Sequence, residues 1–296
     1  DTALLQKAAR VLCSEAYRTA LKQQLAAGAR SFAAARQAAV QALCPGSDVA
    51  ALLDKPNNNL AVEYCKAIIE QNVEMQPIAL PRQGADHGQA LTESSHTAFA
   101  SASALRALWA EGGAAALAPY VPEKALKLYK QAEYDGKYTD FAVMRHCELA
   151  LLRAACAGQA PFAAVRGVSE GLEHRLENAV RETASLPALL DALTTVRYPR
   201  ARMRRLAMDA ALGYTAQTPA LPPYLHLLGA RKEALSLPGE TALPLSHSLA
   251  RLARENETCA QMAAAQSRAS DLGALCRTKP EPMGGIYRQK IIFLTN

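Results

Sequence analysis

Apolar residues recur at three- and four-residue intervals over most of this chain, the period of one face of an α-helix. The first such stripe, Leu4, Leu5, Ala8, Val11, Leu12, Ala16, Ala20 and Leu21, predicts one helix over residues 3–25, closed by Gly28. Ser31 stands where a cap belongs for a second helix to Leu43, which Pro45-Gly46 stops. A short helix over 49–53 and a longer one over 60–71 follow, with Lys55-Pro56-Asn57-Asn58-Asn59 as the turn and cap between them.

Residues 73–80 leave the helical period. They alternate loosely, hold few helix formers and end at Pro81, which predicts a short strand feeding a polar loop over 82–95. Ser101 and Ser103 then precede a helix over 104–110 that Gly112-Gly113 ends. Pro119-Tyr120-Val121-Pro122 breaks the pattern and sets the expected domain boundary, 1–118 before it and 119–296 after it.

Beyond that boundary, two amphipathic helices are predicted on either side of Tyr134-Asp135-Gly136-Lys137. A third covers 170–183 with Ser169 as its cap, and a fourth is set up by Ser185-Leu186-Pro187 and runs through Leu193. A fifth opens with Pro199 in its first turn and ends at Gly213. The tail holds Pro222-Pro223, a short apolar run over 224–228, helical patterns over 248–254 and 259–275, and a predicted strand over 288–296. No period of twenty to fifty residues repeats, which gives a solenoid no support.

Composition agrees with the periodicity. Of 296 residues 50% are apolar, aromatics are 5%, and strong helix formers dominate, so a mainly α protein of two domains is expected. No run of eighteen uncharged apolar residues occurs, and Asp1, Lys7, Arg10 and Glu15 interrupt the first residues in helical spacing. Neither a membrane span nor a signal peptide is read there, and a cytoplasmic location is expected. The chain begins with an aspartate in mid-helix, which reads as a cut with something missing upstream. Seven cysteines without a Cys-x-x-Cys pair or a close Cys/His set fit a reducing compartment and no zinc site; His146-Cys147 is the one neighbouring pair.

The net charge of +6 is concentrated. Between Thr195 and Leu235 seven cations (Arg197, Arg200, Arg202, Arg204, Arg205, Arg231 and Lys232) face two acids, Asp209 and Glu233, which points to a localised polyanion site. Arg197, Arg200 and Arg204 recur at helical spacing and Arg205 is adjacent, while Met203, Leu206, Ala207 and Ala210 take the core side. No acid lies between Thr195 and Met208, so this face is expected to hold RNA or phosphate.

Three further places can carry chemistry. Asn57 sits at a helix start, where free amides and the helix dipole favour an anion or a carbonyl; an asparagine-rich cap is the plain alternative. Arg82 follows the predicted strand, where a guanidinium would grip phosphate in bidentate fashion or simply be solvated. Ser101 and Ser103 can each cap a helix or bind a phosphate oxygen beside its amides. A Walker loop, a Gly-x-Gly-x-x-Gly turn and a His-Glu-x-x-His helix are all missing from the sequence.

Taken in order, Lys55-Pro56-Asn57-Asn58, Arg82, Ser101-Ala102-Ser103-Ala104-Leu105-Arg106, Glu170-Gly171-Leu172-Glu173-His174-Arg175, Arg197-Tyr198 with Arg200 to Arg205, and Pro223-Tyr224-Leu225-His226-Leu227-Leu228-Gly229 resemble the tRNA(Met) cytidine acetate ligase family over the whole chain. The resemblance implies the remainder of a Rossmann-like α/β nucleotidyltransferase domain followed by an α-helical, tRNA-binding C-terminal domain. It implies an ATP-dependent ligase, with Mg2+ accompanying ATP, that activates acetate as acetyl-adenylate. The acetyl group then passes to N4 of the wobble cytidine of elongator tRNA(Met). Asn57 and Arg82 match the family's ATP contacts; Ser101 and Ser103 match, more loosely, a phosphate-side motif of the wider superfamily. The family's His-x-Gly-His motif is not found in the sequence, so the chain as given is expected not to adenylate acetate. The loop after Arg82 also departs from the family at Gly84-Ala85-Asp86-His87, and no role is carried to His87. Two rivals stand beside this expectation: a non-catalytic helical RNA-binding module, and a helical scaffold with no salt-dependent tRNA binding.

Overall fold

Ser14 divides the first apolar stripe into two helices where spacing alone predicts one. Its hydroxyl donates to the Val11 carbonyl at 2.7 Å and accepts the Tyr17 amide at 3.1 Å. It thereby closes α1 (Thr2–Cys13) and caps α2 (Glu15–Ala26). The computed structural model describes residues 1–29, 31–81, 100–236 and 241–294. After α2 come α3 (Phe32–Leu43), capped by Ser31 as predicted, then α4 (Val49–Leu52) and α5 (Pro56–Glu70). Leu5, Ala8 and Leu12 of α1 bury against Val40, Val49 and Val62 in one apolar cluster.

The strand predicted over 73–80 does not form. A strand needs a neighbour to take its amides and carbonyls, and none is present among the described residues of this unit. The Met75 amide bonds back to the Val73 carbonyl, and the Ala79 amide donates to Thr2 Oγ1 at 3.3 Å. Ile78 and Leu80 are 83% and 87% exposed, so the apolar alternation faces solvent instead of a sheet.

Two compact units divide at Ala104/Leu105, inside α6 (Ala102–Gly112), whereas the Pro-Tyr-Val-Pro break places the expected boundary after residue 118. Aromatic packing pulls the division upstream: Trp109 of α6 meets Tyr129 at 5.3 Å and Tyr138 at 5.8 Å between ring centres. In the second unit α7 (Glu123–Tyr134), α8 (Phe141–Ala155), α9 (Leu172–Glu182), α10 (Leu186–Leu193) and α11 (Arg200–Ala211) follow in order. Leu152, Phe162, Leu176, Leu189, Leu193 and Met203 form the core that α8 to α11 share. Helix α9 starts later than predicted and Ser169 does not cap it with its side chain. Glu170 (φ 56°) and Gly171 (φ 79°) are both left-handed, which leaves Gly171 as the cap and the Ser169 carbonyl to accept the Leu172 amide.

Short parallel pairs join β1 (Leu225–His226) to β3 (Leu245–Ser246), and β2 (Gly229–Ala230) to β4 (Ile292–Phe293). Of the strand predicted over 288–296, the described part up to residue 294 forms only β4, because Arg288 closes α14 (Gly285–Arg288); residues 295–296 lie outside the described residues. With α12 (Leu249–Leu252) and α13 (Glu257–Leu275), the tail buries a small cluster of Tyr224, Leu249, Leu252, Cys259 and Ala263. The chain is thus mainly helical, and among the described residues no helix is long and apolar enough to cross a membrane.

Candidate nucleotide and polyanion sites

Helix α5 separates three adjacent asparagines that the sequence cannot rank. The short α4 leaves the carbonyls of Leu52 and Leu53 without helical partners. Asn58 Nδ2 donates to the first at 3.1 Å and Asn59 Nδ2 to the second at 2.8 Å. Those two side chains therefore staple α4 to α5. Asn57 is exposed, and its side chain makes no hydrogen bond among the described residues. Lys55 is the helix cap without a side-chain cap bond, and Pro56 occupies the first helical position, so the mouth of this helix keeps amides available beside Asn57.

Arg82 lies outside the described residues, as does the loop after it, so its expected approach to Asn57 is not placed. The cavity nearest in sequence to both, lined by Arg10, Cys65, Ile68 and Pro77, measures about 50 Å³, room for a water or two and not for a nucleotide.

The two serines divide their tasks. Ser101 is buried and accepts the Ala104 amide at 3.2 Å, which is the capping role. Ser103 is exposed, with its hydroxyl oxygen 3.0 Å from that of Ser101, and remains open to a further oxygen.

In the second unit the basic run is less bare than its sequence. Arg197 precedes α11 and pairs with Glu170; Arg200 pairs with Asp191 of α10. Tyr198, whose hydroxyl donates to Glu170 at 3.2 Å, carries the guanidinium of Arg197 at 5.7 Å and that of Arg202 at 5.2 Å from its ring centre. The expectation of four arginines without acidic company is therefore corrected: acids distant in sequence fold onto two of them. Arg204 and Arg205 are exposed on α11, and Arg205 has no ion-pair partner among the described residues. Met203, Leu206, Ala207 and Ala210 are buried, as the spacing predicts.

Helix α8 buries a residue that sequence reasoning missed. Glu148 of α8 is 4% exposed, and its Oε1 has no hydrogen-bond partner among the described residues. Burial pushes its carboxyl up to about 7, while the Arg204 charge pulls it down. The available signal was its place beside Leu149 and one turn before Leu152, on the core side of α8.

Behind this face, Arg166 grips Asp209 with two hydrogen bonds of 3.1 and 2.9 Å and lies over the Tyr214 ring, tying the segment before α9 to α11. The Glu170–Arg175 motif leads into a cavity of about 250 Å³ lined by Ala160, Phe162, Ala163, Glu173, His174 and Glu177. Glu177 already holds Arg181, and two carboxylates disfavour phosphate there.

Residues 1–284 match the model of the HIGH Nucleotidyl Transferase family. A tRNA(Met) cytidine acetate ligase from Listeria monocytogenes serotype 4b is 30% identical over 183 residues, covering 61% of this chain and 45% of the relative. That of Thermoanaerobacter sp. is 28% identical over 232 residues, covering 76% and 56%. The chain thus spans about half the length of these relatives. In fold it is similar to the crystal structure of Thermotoga maritima TmcAL bound with alpha-thio ATP, with a TM-score of 0.82, 20% identity and coverage of 99% of this chain and 74% of that one. The apo form of the same protein gives a TM-score of 0.84 at 22% identity, covering 100% and 75%.

Proposed function

We propose, from the premise that this chain belongs to the HIGH Nucleotidyl Transferase family, that it is part of an ATP-dependent tRNA cytidine acetate ligase. In this reading acetate attacks the α-phosphate of ATP, giving acetyl-adenylate and pyrophosphate. The N4 amine of the wobble cytidine of elongator tRNA(Met) then attacks the acetyl carbonyl, AMP leaves and a proton is released. Asn57 and Arg82 hold ATP, Mg2+ accompanies the phosphates, and Ser103 adds a hydroxyl at the mouth of α6, which Ser101 caps.

What carries the reading is Asn57: of three consecutive asparagines it alone is left without structural work, at the open mouth of a helix. The division into a nucleotide-binding part over 1–118 and a tRNA-gripping helical part over 119–296 belongs to the same proposal, with Arg197, Arg200, Arg204 and Arg205 on the RNA side. Acetate-dependent ATP–pyrophosphate exchange by the complete gene product tests it. Asn57→Ala and Arg82→Ala are each expected to abolish exchange, and undiminished exchange refutes the assignment. A second reading, an RNA-binding module without catalysis, draws on the exposed Arg204 and Arg205; tRNA retention without acetyl transfer by the complete gene product would select it.

A further inference from the structure

Arg202 lies off the helix face that the spacing of Arg200 and Arg204 defines, and the packing sets it apart from both. Three acids on and around α11 are already taken: Glu170 by Arg197, Asp191 by Arg200 and Asp209 by Arg166. Arg202 is half-buried, and among the described residues its guanidinium has no hydrogen bond and no ion pair. What it does meet is the ring of Tyr198, 5.2 Å from guanidinium carbon to ring centre.

That ring is pinned at three points. The Tyr198 hydroxyl donates to Glu170 at 3.2 Å, its amide donates to Thr195 Oγ1 at 3.0 Å, and its carbonyl accepts the Thr195 amide at 3.0 Å. Glu170 holds its end in a left-handed conformation (φ 56°), which strains a residue other than glycine. Arg197 lies 5.7 Å from the same ring centre, so two guanidinium groups share one fixed platform. A guanidinium resting on a ring keeps its in-plane N–H groups free, and those are the groups that grip a phosphate. The ring contact does not neutralise the charge, so Arg202 still lacks a counter-anion.

We infer that Arg202 is a phosphate-binding residue for RNA, additional to the other arginines of this face, and that Tyr198 is its positioning residue: the pinned ring presents Arg202 and Arg197 to neighbouring phosphodiesters of one strand. The inference rests on the reading that this unit grips tRNA and names the cation that the ion pairs leave free.

The test is fluorescence anisotropy of a labelled elongator tRNA(Met) transcript with the whole 296-residue chain across a salt series. Arg202→Ala is expected to lower affinity about tenfold and the slope of log affinity against log salt by about one contact. Arg202→Lys should restore the slope but not the affinity, because an ammonium keeps the charge and loses the planar fork. Lys124→Ala, at an exposed position of α7, controls for unspecific loss of charge and should leave the slope unaltered. Tyr198→Leu should weaken binding about threefold and Tyr198→Phe should recover it. In a protein already lacking both Arg197 and Arg202, Tyr198→Leu should have no further effect, whereas a ring that served folding alone would weaken binding in either background. Without any variant, tRNA should shield Arg202 from phenylglyoxal, read by mass spectrometry, while Arg153, which donates to the Thr183 carbonyl, keeps its reactivity. Unaltered affinity and slope in Arg202→Ala, or an unshielded Arg202, overturn the inference while salt-dependent binding by the wild type leaves the tRNA reading intact. No salt-dependent binding by the wild type overturns the tRNA reading and the inference with it.

Discussion

Glu148→Gln separates the cost of a buried charge from everything else in the second unit. A carboxyl that titrates at 4.5 in the unfolded chain and at about 7 in the folded one makes the fold worse by about 3 kcal/mol once it is ionised in both states. Below pH 4.5 the group is neutral in both states and costs nothing. Between 4.5 and 7 the unfolded chain ionises while the folded chain does not, so stability falls by about 1.4 kcal/mol per pH unit. Above 7 the full penalty is present and constant. Glutamine does not titrate, but its amide still buries a polar group without a full set of partners, which costs about 1–3 kcal/mol. Relative to wild type, the variant is expected to gain about 2–3 kcal/mol between pH 5 and pH 8. Urea unfolding followed by tryptophan fluorescence measures this directly, because the single tryptophan, Trp109, packs on Tyr129 and Tyr138 in the same compact unit as Glu148. A difference between the two proteins that stays constant within about 0.5 kcal/mol from pH 5 to 8 would show that Glu148 titrates normally and that the helix contact does not bury it.

Two further substitutions probe the sites on other grounds. Asn59→Ala removes the bond that satisfies the Leu53 carbonyl and is expected to cost about 1–2 kcal/mol in denaturant unfolding, whereas Asn57→Ala should change stability by less than about 0.5 kcal/mol; equal losses would show that Asn57 is structural as well. Arg205→Ala should leave unfolding unchanged and lower the slope of log affinity for tRNA against log salt by about one contact, and an unaltered slope would remove Arg205 from the RNA face.

Local physics made much of the fold legible in advance. The helices α3, α10 and α11, the Ser31 and Ser185 caps and the buried Met203-Leu206-Ala207-Ala210 stripe were readable because side-chain period and capping act over four residues or fewer. The break at Ser14 escaped the pattern because the apolar stripe runs on unbroken through it, and only the backbone reveals that the hydroxyl serves both helix ends.

Which asparagine is free, which arginines are neutralised and where a carboxylate is buried are of another kind. Asn58 and Asn59 are taken up by carbonyls that α4 happens to leave orphaned, and Arg197 and Arg200 by Glu170 and Asp191, acids outside the run that holds them. Residues 73–80 carry the alternation of a strand, yet pairing is a property of two segments and the second is not beside them among the described residues. Sequence by itself determined the helical character of the chain and the concentration of its charge, because both are set by residue type and near neighbours. Tertiary structure alone decided which of those charged and polar groups are already satisfied, because their partners come from elsewhere in the chain and are brought close only by packing.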